Sequence, residues 1–201
     1  MNKMTALERR FQRIRLIVCD FDGVLSDGKI FFDGDGKPFR AVHARDMAAF
    51  TLWRVAQGRM ALVSGLGSKA LETIAEQWRC DACAMWIKDK ARVCRELGVE
   101  WGLDLEEICF LGDDLIDRNA MRIVGLAVAV GDAAPEIKAE AHWVTRAPGG
   151  QGSLRELVCR ILTAQGRLEQ AVEAYCERED DPDSGVQAYL LNEWPAPAHT
   201  G

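Results

Sequence analysis

The sequence predicts an α/β chain, a Rossmann-like, doubly wound parallel sheet with a small inserted β-hairpin. Three observations predict it. Short, unbroken apolar runs recur (Leu16-Ile17-Val18, Met60-Ala61-Leu62-Val63, Ile108-Cys109-Phe110-Leu111, Leu126-Ala127-Val128-Ala129-Val130), as strands buried on both faces require. Segments with helical spacing alternate with them, which is the rhythm of a parallel sheet. Several runs end abruptly in Asp, Ser and Gly, at the strand ends where open α/β sheets hold ligands.

The 201 residues, 48% of them hydrophobic, can bury one sizeable core. One domain is expected over 1–175, followed by an acidic, loosely ordered tail over 176–201 with an apolar stretch at 186–191. Residues 5–13 read as a short amphipathic helix and 14–19 as the first strand. Residues 29–42 place β-rich residues on either side of Asp33-Gly34-Asp35-Gly36, a hairpin signal. The terminal Glu of a calcium loop is missing, so Asp33 and Asp35 read as turn residues. A hairpin between the first strand and first helix of an α/β unit is an insertion, and its Phe31, Phe32 and Phe39 need cover that another subunit could supply. Then come a helix over Asp46–Ala56 closed by Gly58, a strand at 60–63, a helix over Lys69–Gln77 and a short strand over Ala82–Trp86. Lys88-Asp89-Lys90 opens a helix over Ala91–Leu97; the strand at 108–111, a helix to Val124 and the strand at 126–130 follow. His142–Thr145 adds a last strand, and the glycine-rich loop Ala147–Ser153 leads into a helix over Leu154–Ala164.

A net charge of −6 argues against a general nucleic-acid or anionic-membrane surface, although a metal and a lysine can still capture a small anion. No apolar run approaches the ~20 residues of a membrane span, and the first ten residues lack the apolar core of a signal peptide, so a cytoplasmic protein is expected. The seven cysteines are an odd number, and Cys19, Cys94, Cys109 and Cys159 sit in apolar runs like core residues kept reduced. Cys80 and Cys83 have the gap of a zinc or redox pair, but no second pair or His cluster follows.

The chemistry lies at the strand ends. Asp20 and Asp22 follow the first strand two positions apart, so both could approach one cation, and Gly23 lets the chain turn away. Ser64-Gly65 ends the second strand just before a helix, where backbone N–H groups and a hydroxyl can hold phosphate oxygens, or merely cap the helix. Lys90 stands at a helix start, against the macrodipole, and is either a solvated surface lysine or a phosphate-neutralising cation. Asp113, Asp114 and Asp117 crowd another strand end, and three carboxylates there repel one another unless a cation compensates. Helix capping by Asp113 or Asp114 accounts for one of them. These are the parts of a metal-dependent phosphoryl-transfer site. Asp20 is the expected nucleophile and Asp22 the acid-base; Ser64, Gly65 and Lys90 are expected around the phosphate, and the glycines around Gly150 allow close backbone approach either to the substrate or merely to the neighbouring chain. Mg²⁺ is expected on Asp20, the backbone carbonyl of Asp22 and Asp113, with Asp114 and Asp117 behind; Asp117 would orient Lys90 or a metal-bound water.

The stretches Asp20-Phe21-Asp22-Gly23-Val24-Leu25-Ser26-Asp27-Gly28, Gly112-Asp113-Asp114-Leu115-Ile116-Asp117 and Gly149-Gly150-Gln151-Gly152 resemble those of the haloacid dehalogenase superfamily of phosphatases, over about residues 14–165. Within it they are close to the cap-less 3-deoxy-D-manno-octulosonate 8-phosphate phosphatases. The resemblance implies a small phosphorylated sugar acid as substrate, lipopolysaccharide precursor synthesis as the setting, and a homotetramer assembled through the hairpin. The same subgroup includes phosphatases of nine-carbon sialic-type acids and weakly active domains fused to sialic-acid cytidylyltransferases; the second implies an assembly or regulatory subunit as the alternative. The retained Asp20, Asp22, Lys90 and Asp113 favour the enzyme, and an acid-base at Asp22 disfavours a phosphate-receiving signalling domain. Two positions depart from the family pattern. Leu66 stands where octulosonate enzymes usually carry Arg and nine-carbon enzymes Glu, and Met85-Trp86 stands where Gln-Gly is common. Arg45, Arg146 and Arg155 remain candidate anion binders.

Overall fold

The computed structural model of the chain describes residues 5–177. The expected tail therefore lies outside the described residues except at its start, where Cys176 and Glu177 close a helix. Helix α1 (Ala6–Arg13) is capped by the Thr5 hydroxyl, which accepts from the Glu8 amide at 3.1 Å. It leads into β1 (Leu16–Cys19), every residue of which is buried. The hairpin is short: β2 (Phe31–Phe32) pairs antiparallel with β3 (Pro38–Phe39), with the Phe31 and Phe39 rings stacked and exposed.

The main frame then alternates as expected. It comprises α2 (Ala44–Val55), β4 (Arg59–Val63), α3 (Lys69–Gln77), β5 (Ala82–Ala84), α4 (Lys90–Trp101) and β6 (Ile108–Gly112). After these come α5 (Arg118–Met121), β7 (Leu126–Ala129), α6 (Pro135–Glu140), β8 (Trp143–Val144), α7 (Ser153–Ala164) and α8 (Leu168–Glu177). The six-stranded sheet is parallel throughout, in the order β5-β4-β1-β6-β7-β8. The chain winds one way from β1 through β4 to β5 and the other way from β6 onward, which puts the switch point between β1 and β6. Helices α1, α2, α7 and α8 pack together, as do α4, α5 and α6, giving the buried strands the cover they need. Among the described residues no helix is long and apolar enough to cross a membrane.

Two local expectations are corrected. The strand expected to reach Trp86 stops at Ala84, because Trp86 takes a left-handed backbone (φ 62°) incompatible with the sheet. The helix expected to run to Val124 is a 3-10 turn (Leu115–Asp117) followed by the four-residue α5, since the Asp114 and Asp117 carboxylates are drawn back to backbone amides. Helices α6 and α8 carried no expectation; α8 holds its place against α2 and α7.

Candidate active site

Because β1 and β6 are neighbours, with Cys19 in register with Leu111, the turns that follow them share one edge. Asp20 continues the ladder by one bond, its amide donating to the Leu111 carbonyl at 3.0 Å, so its side chain is aimed by the sheet itself. The chain then turns tightly, with the amides of Val24, Leu25 and Ser26 all donating to the Phe21 carbonyl. Gly23 is obligatory in that turn: its φ is 87°, and a Cβ there would collide with Asp113 Oδ2.

The Asp20 carboxylate accepts from the Phe21 amide at 2.7 Å through Oδ1 and faces Lys90 Nζ at 2.8 Å through Oδ2. Lys90 opens α4, but its side chain is fully buried and reaches a second carboxylate, Asp117 Oδ1, at 2.6 Å. Asp117 Oδ2 in turn accepts from the amides of Asp113 (2.8 Å) and Asp114 (3.3 Å), so both of its oxygens are occupied. Asp113 is different. Its Oδ1 is buried without a hydrogen-bond partner.

Burial, then the negative charge of Asp117, pushes the Asp20 carboxyl up to about 7, with Lys90 pulling the other way. Burial, then Asp20 and Asp117, pushes Asp113 up to about 8. Burial alone would lower Lys90, but Asp20 and Asp117 outweigh it and hold the ammonium above its ordinary value. Ligand oxygens of Asp20, Asp113 and Asp117 lie within 4.8 Å of one another. An orphaned carboxylate oxygen among crowded buried carboxylates fits a divalent cation, which would supply the missing partner and the missing charge. The Asp22 carboxylate is not part of that cluster.

Ser64 leaves β4 with its amide on the Ala84 carbonyl at 2.9 Å, and its carbonyl takes the Ile87 amide at 3.0 Å. The adjoining cleft, of about 340 Å³, is lined by Asp20, Asp22, Gly28, Ser64, Gly65, Leu66, Lys90, Asp113, Asp114 and Ile116. A wider depression of about 1040 Å³ lies at the opposite strand ends around Arg13, Arg15 and Gln165 and holds none of these groups. Position relative to the strand ends, rather than size, marks the site.

Gly150 does not line the cleft. Its amide donates to the Val24 carbonyl at 2.8 Å and its α-carbon abuts the backbone of Ser26 and Asp27, so the glycine-rich loop closely approaches the first turn. Nor do Arg45, Arg146 or Arg155 line it. The arginine that reaches the site is Arg40, just after the hairpin, whose Nε donates to Asp22 Oδ1 from a side chain only 4% exposed. Nothing local in Phe39-Arg40-Ala41 marks it. Asp46 was likewise passed over as a helix-start residue; buried, it accepts from the amides of Gly152 (3.0 Å) and Arg155 (2.9 Å) and so tethers the glycine-rich loop to α2.

A family model described as haloacid dehalogenase-like hydrolase matches residues 87–152, the part carrying Lys90, Asp113 and Asp117. The 3-deoxy-D-manno-octulosonate 8-phosphate phosphatase of Yersinia pestis is 37% identical over 163 residues, 81% of this chain and 87% of that one. A crystal structure of a probable YrbI family phosphatase from Pseudomonas syringae superposes with a TM-score of 0.82 at 36% identity, covering 87% of this chain and 99% of that one. The 3-deoxy-D-manno-octulosonate 8-phosphate phosphatase of Moraxella catarrhalis, solved in complex with a magnesium ion, a phosphate ion and a KDO molecule, gives a TM-score of 0.82 at 25% identity over 86% of this chain and 99% of that one. With 37% identity spanning 81% of this chain and 87% of that relative, the chain belongs to the haloacid dehalogenase-like phosphatases, in the family of the 3-deoxy-D-manno-octulosonate 8-phosphate phosphatases.

Proposed function

We propose that this phosphatase hydrolyses a phosphorylated keto-deoxy sugar acid, 3-deoxy-D-manno-octulosonate 8-phosphate or a nine-carbon relative, through an aspartyl phosphate on Asp20. The observation that carries the reading is the placement of the Asp20 carboxylate, fixed by the Phe21 amide and Lys90 beside the orphaned oxygen of Asp113. A bound Mg²⁺, held by Asp20, Asp113 and the Asp22 carbonyl, supplies the positive charge that lets an anionic nucleophile approach an anionic phosphate.

Asp20 attacks phosphorus as the ester oxygen leaves on the opposite side, so one P–O bond forms as another breaks. Asp22 gives its proton to the departing alkoxide. It then takes a proton from the water that attacks the aspartyl phosphate, and the bond between phosphorus and Asp20 breaks to release inorganic phosphate. Lys90 and Ser64 steady the oxygens of the transferring group, and Asp117 holds Lys90 in place. The exposed Phe31, Phe32 and Phe39 support assembly into a homotetramer through the hairpin, for which light scattering is the check.

Phosphate release from octulosonate 8-phosphate, with and without Mg²⁺, tests the activity. Wild type should be active only with the ion, and Asp20→Asn inactive. Equal rates for wild type and Asp20→Asn would instead point to a catalytically weak assembly subunit.

A further inference from the structure

The turn after β4 is flanked by an aromatic ring that the mechanism does not use. Trp86 is 70% exposed and sits at φ 62°, a left-handed backbone conformation that strains a bulky L-residue and that glycine would adopt freely. Its indole lies against the α-carbon of Gly67, where any Cβ would collide with the ring. The indole therefore rests on the phosphate turn through Nε1, Cε2 and Cζ2, while most of the residue stays open to solvent. Beside it the rim continues with Leu66, 45% exposed, and with Ile116, which covers Gly65; both line the cleft.

We infer that Trp86, with Leu66 and Ile116, is the wall that receives the carbohydrate part of the substrate, the indole stacking on its C–H face. This rests on the proposed activity and adds a specificity residue to it. The cationic groups of the site are already engaged, Lys90 by Asp20 and Asp117 and Arg40 by Asp22. With the phosphate held at Ser64 and Lys90, the rest of the substrate emerges past Leu66. A negative group emerging there meets Asp114, and the cation of the lining, Lys90, is already paired with Asp20 and Asp117, whereas a carbohydrate C–H face meets apolar and aromatic surface. The slightly positive C–H edges of a sugar are attracted to the negative face of an indole, and apolar area leaves water on both partners.

The test compares kcat/KM for acetyl phosphate, which has no carbohydrate, with the best substrate among octulosonate 8-phosphate, a nine-carbon acid 9-phosphate and glucose 6-phosphate. Trp86→Gly should lower kcat/KM for the sugar phosphate about tenfold more than for acetyl phosphate, chiefly through KM. Trp86→Phe, which keeps an aromatic face, should hold most of the difference. Glycine relieves the left-handed strain, so Trp86→Gly should melt no lower than wild type; should it fail to fold, Trp86→Asn, which also accepts this backbone, is read instead. Equal losses on both substrates, or Trp86→Phe as selective as Trp86→Gly, overturn the assignment, as does wild-type turnover of acetyl phosphate with no sugar phosphate accepted. Absence of all phosphate release by wild type overturns the proposed activity itself, so the two failures are distinct.

Discussion

The ammonium of Lys90 and the carboxylate of Asp117, 27 positions apart and both fully buried, lie 2.6 Å from each other. Neither can be understood alone. Asp117 also takes the amides of Asp113 and Asp114, so it holds the ammonium and the β6 turn at once. Asp117→Ala leaves a buried ammonium short of a counter-charge and two amides without an acceptor. The expected cost is about 3–5 kcal/mol, read from the denaturant midpoint. Turnover should fall at least a hundredfold, because Lys90 is no longer held over the phosphate position. An unchanged midpoint would show that the pair does not carry this part of the fold.

Arg40 stands in the same relation to Asp22. Its guanidinium is buried, Nε is bonded to the Asp22 carboxylate, and Nη1 has no hydrogen-bond partner. An arginine so placed fixes one oxygen of the acid-base and leaves the other to the substrate. Arg40→Ala should lower kcat by roughly ten- to a hundredfold with little change in KM, and Arg40→Lys should restore part of the loss. A rise in KM at constant kcat would instead make Arg40 a substrate contact.

How much of this site was readable depended on whether the responsible contact was local. Asp20, Ser64, Lys90 and Asp113 stood out because each sits at the end of a strand or the start of a helix, and strand adjacency then brings β1 and β6 together. Arg40 and Asp46 work across the fold. Arg40 reaches back 18 residues from a hairpin whose position no local pattern fixes, and Asp46 meets amides 106 and 109 residues away. The left-handed backbone of Trp86 was equally hidden, since the residue type argues for a strand and tertiary packing on Gly67 decides otherwise.

Asp46 offers a stability test away from the proposed chemistry. Burial pushes its carboxyl up, while the amides of Arg155 and Gly152 favour the charged form. Asp46→Ala orphans both amides and unties the glycine-rich loop from α2, at a cost of about 2–4 kcal/mol in thermal or chemical denaturation. Asp46→Asn keeps one acceptor oxygen and should lose less. Similar midpoints for Asp46→Ala and wild type would place the loop's stability elsewhere.

The crowded carboxylates also set a pH dependence whose sign is fixed by their direction of shift. Asp20 and Asp113 bind protons more tightly in the fold than an ordinary carboxyl, reaching about 7 and about 8 from an ordinary 3.8. Protonation therefore favours the folded state. The stability they contribute without metal is complete below about pH 4 and is lost as pH rises toward 8. A divalent cation reverses the balance, because it binds the deprotonated carboxylates and replaces the proton as their counter-charge. In chelator the melting temperature should fall from pH 6 to pH 8, and the rise on adding Mg²⁺ should be larger at pH 8 than at pH 6. Asp113→Asn, which cannot ionise, should flatten the first trend and shrink the second. Equal Mg²⁺-induced shifts at both pH values would mean that these carboxylates are already ionised in the metal-free fold, and that Lys90 alone neutralises them.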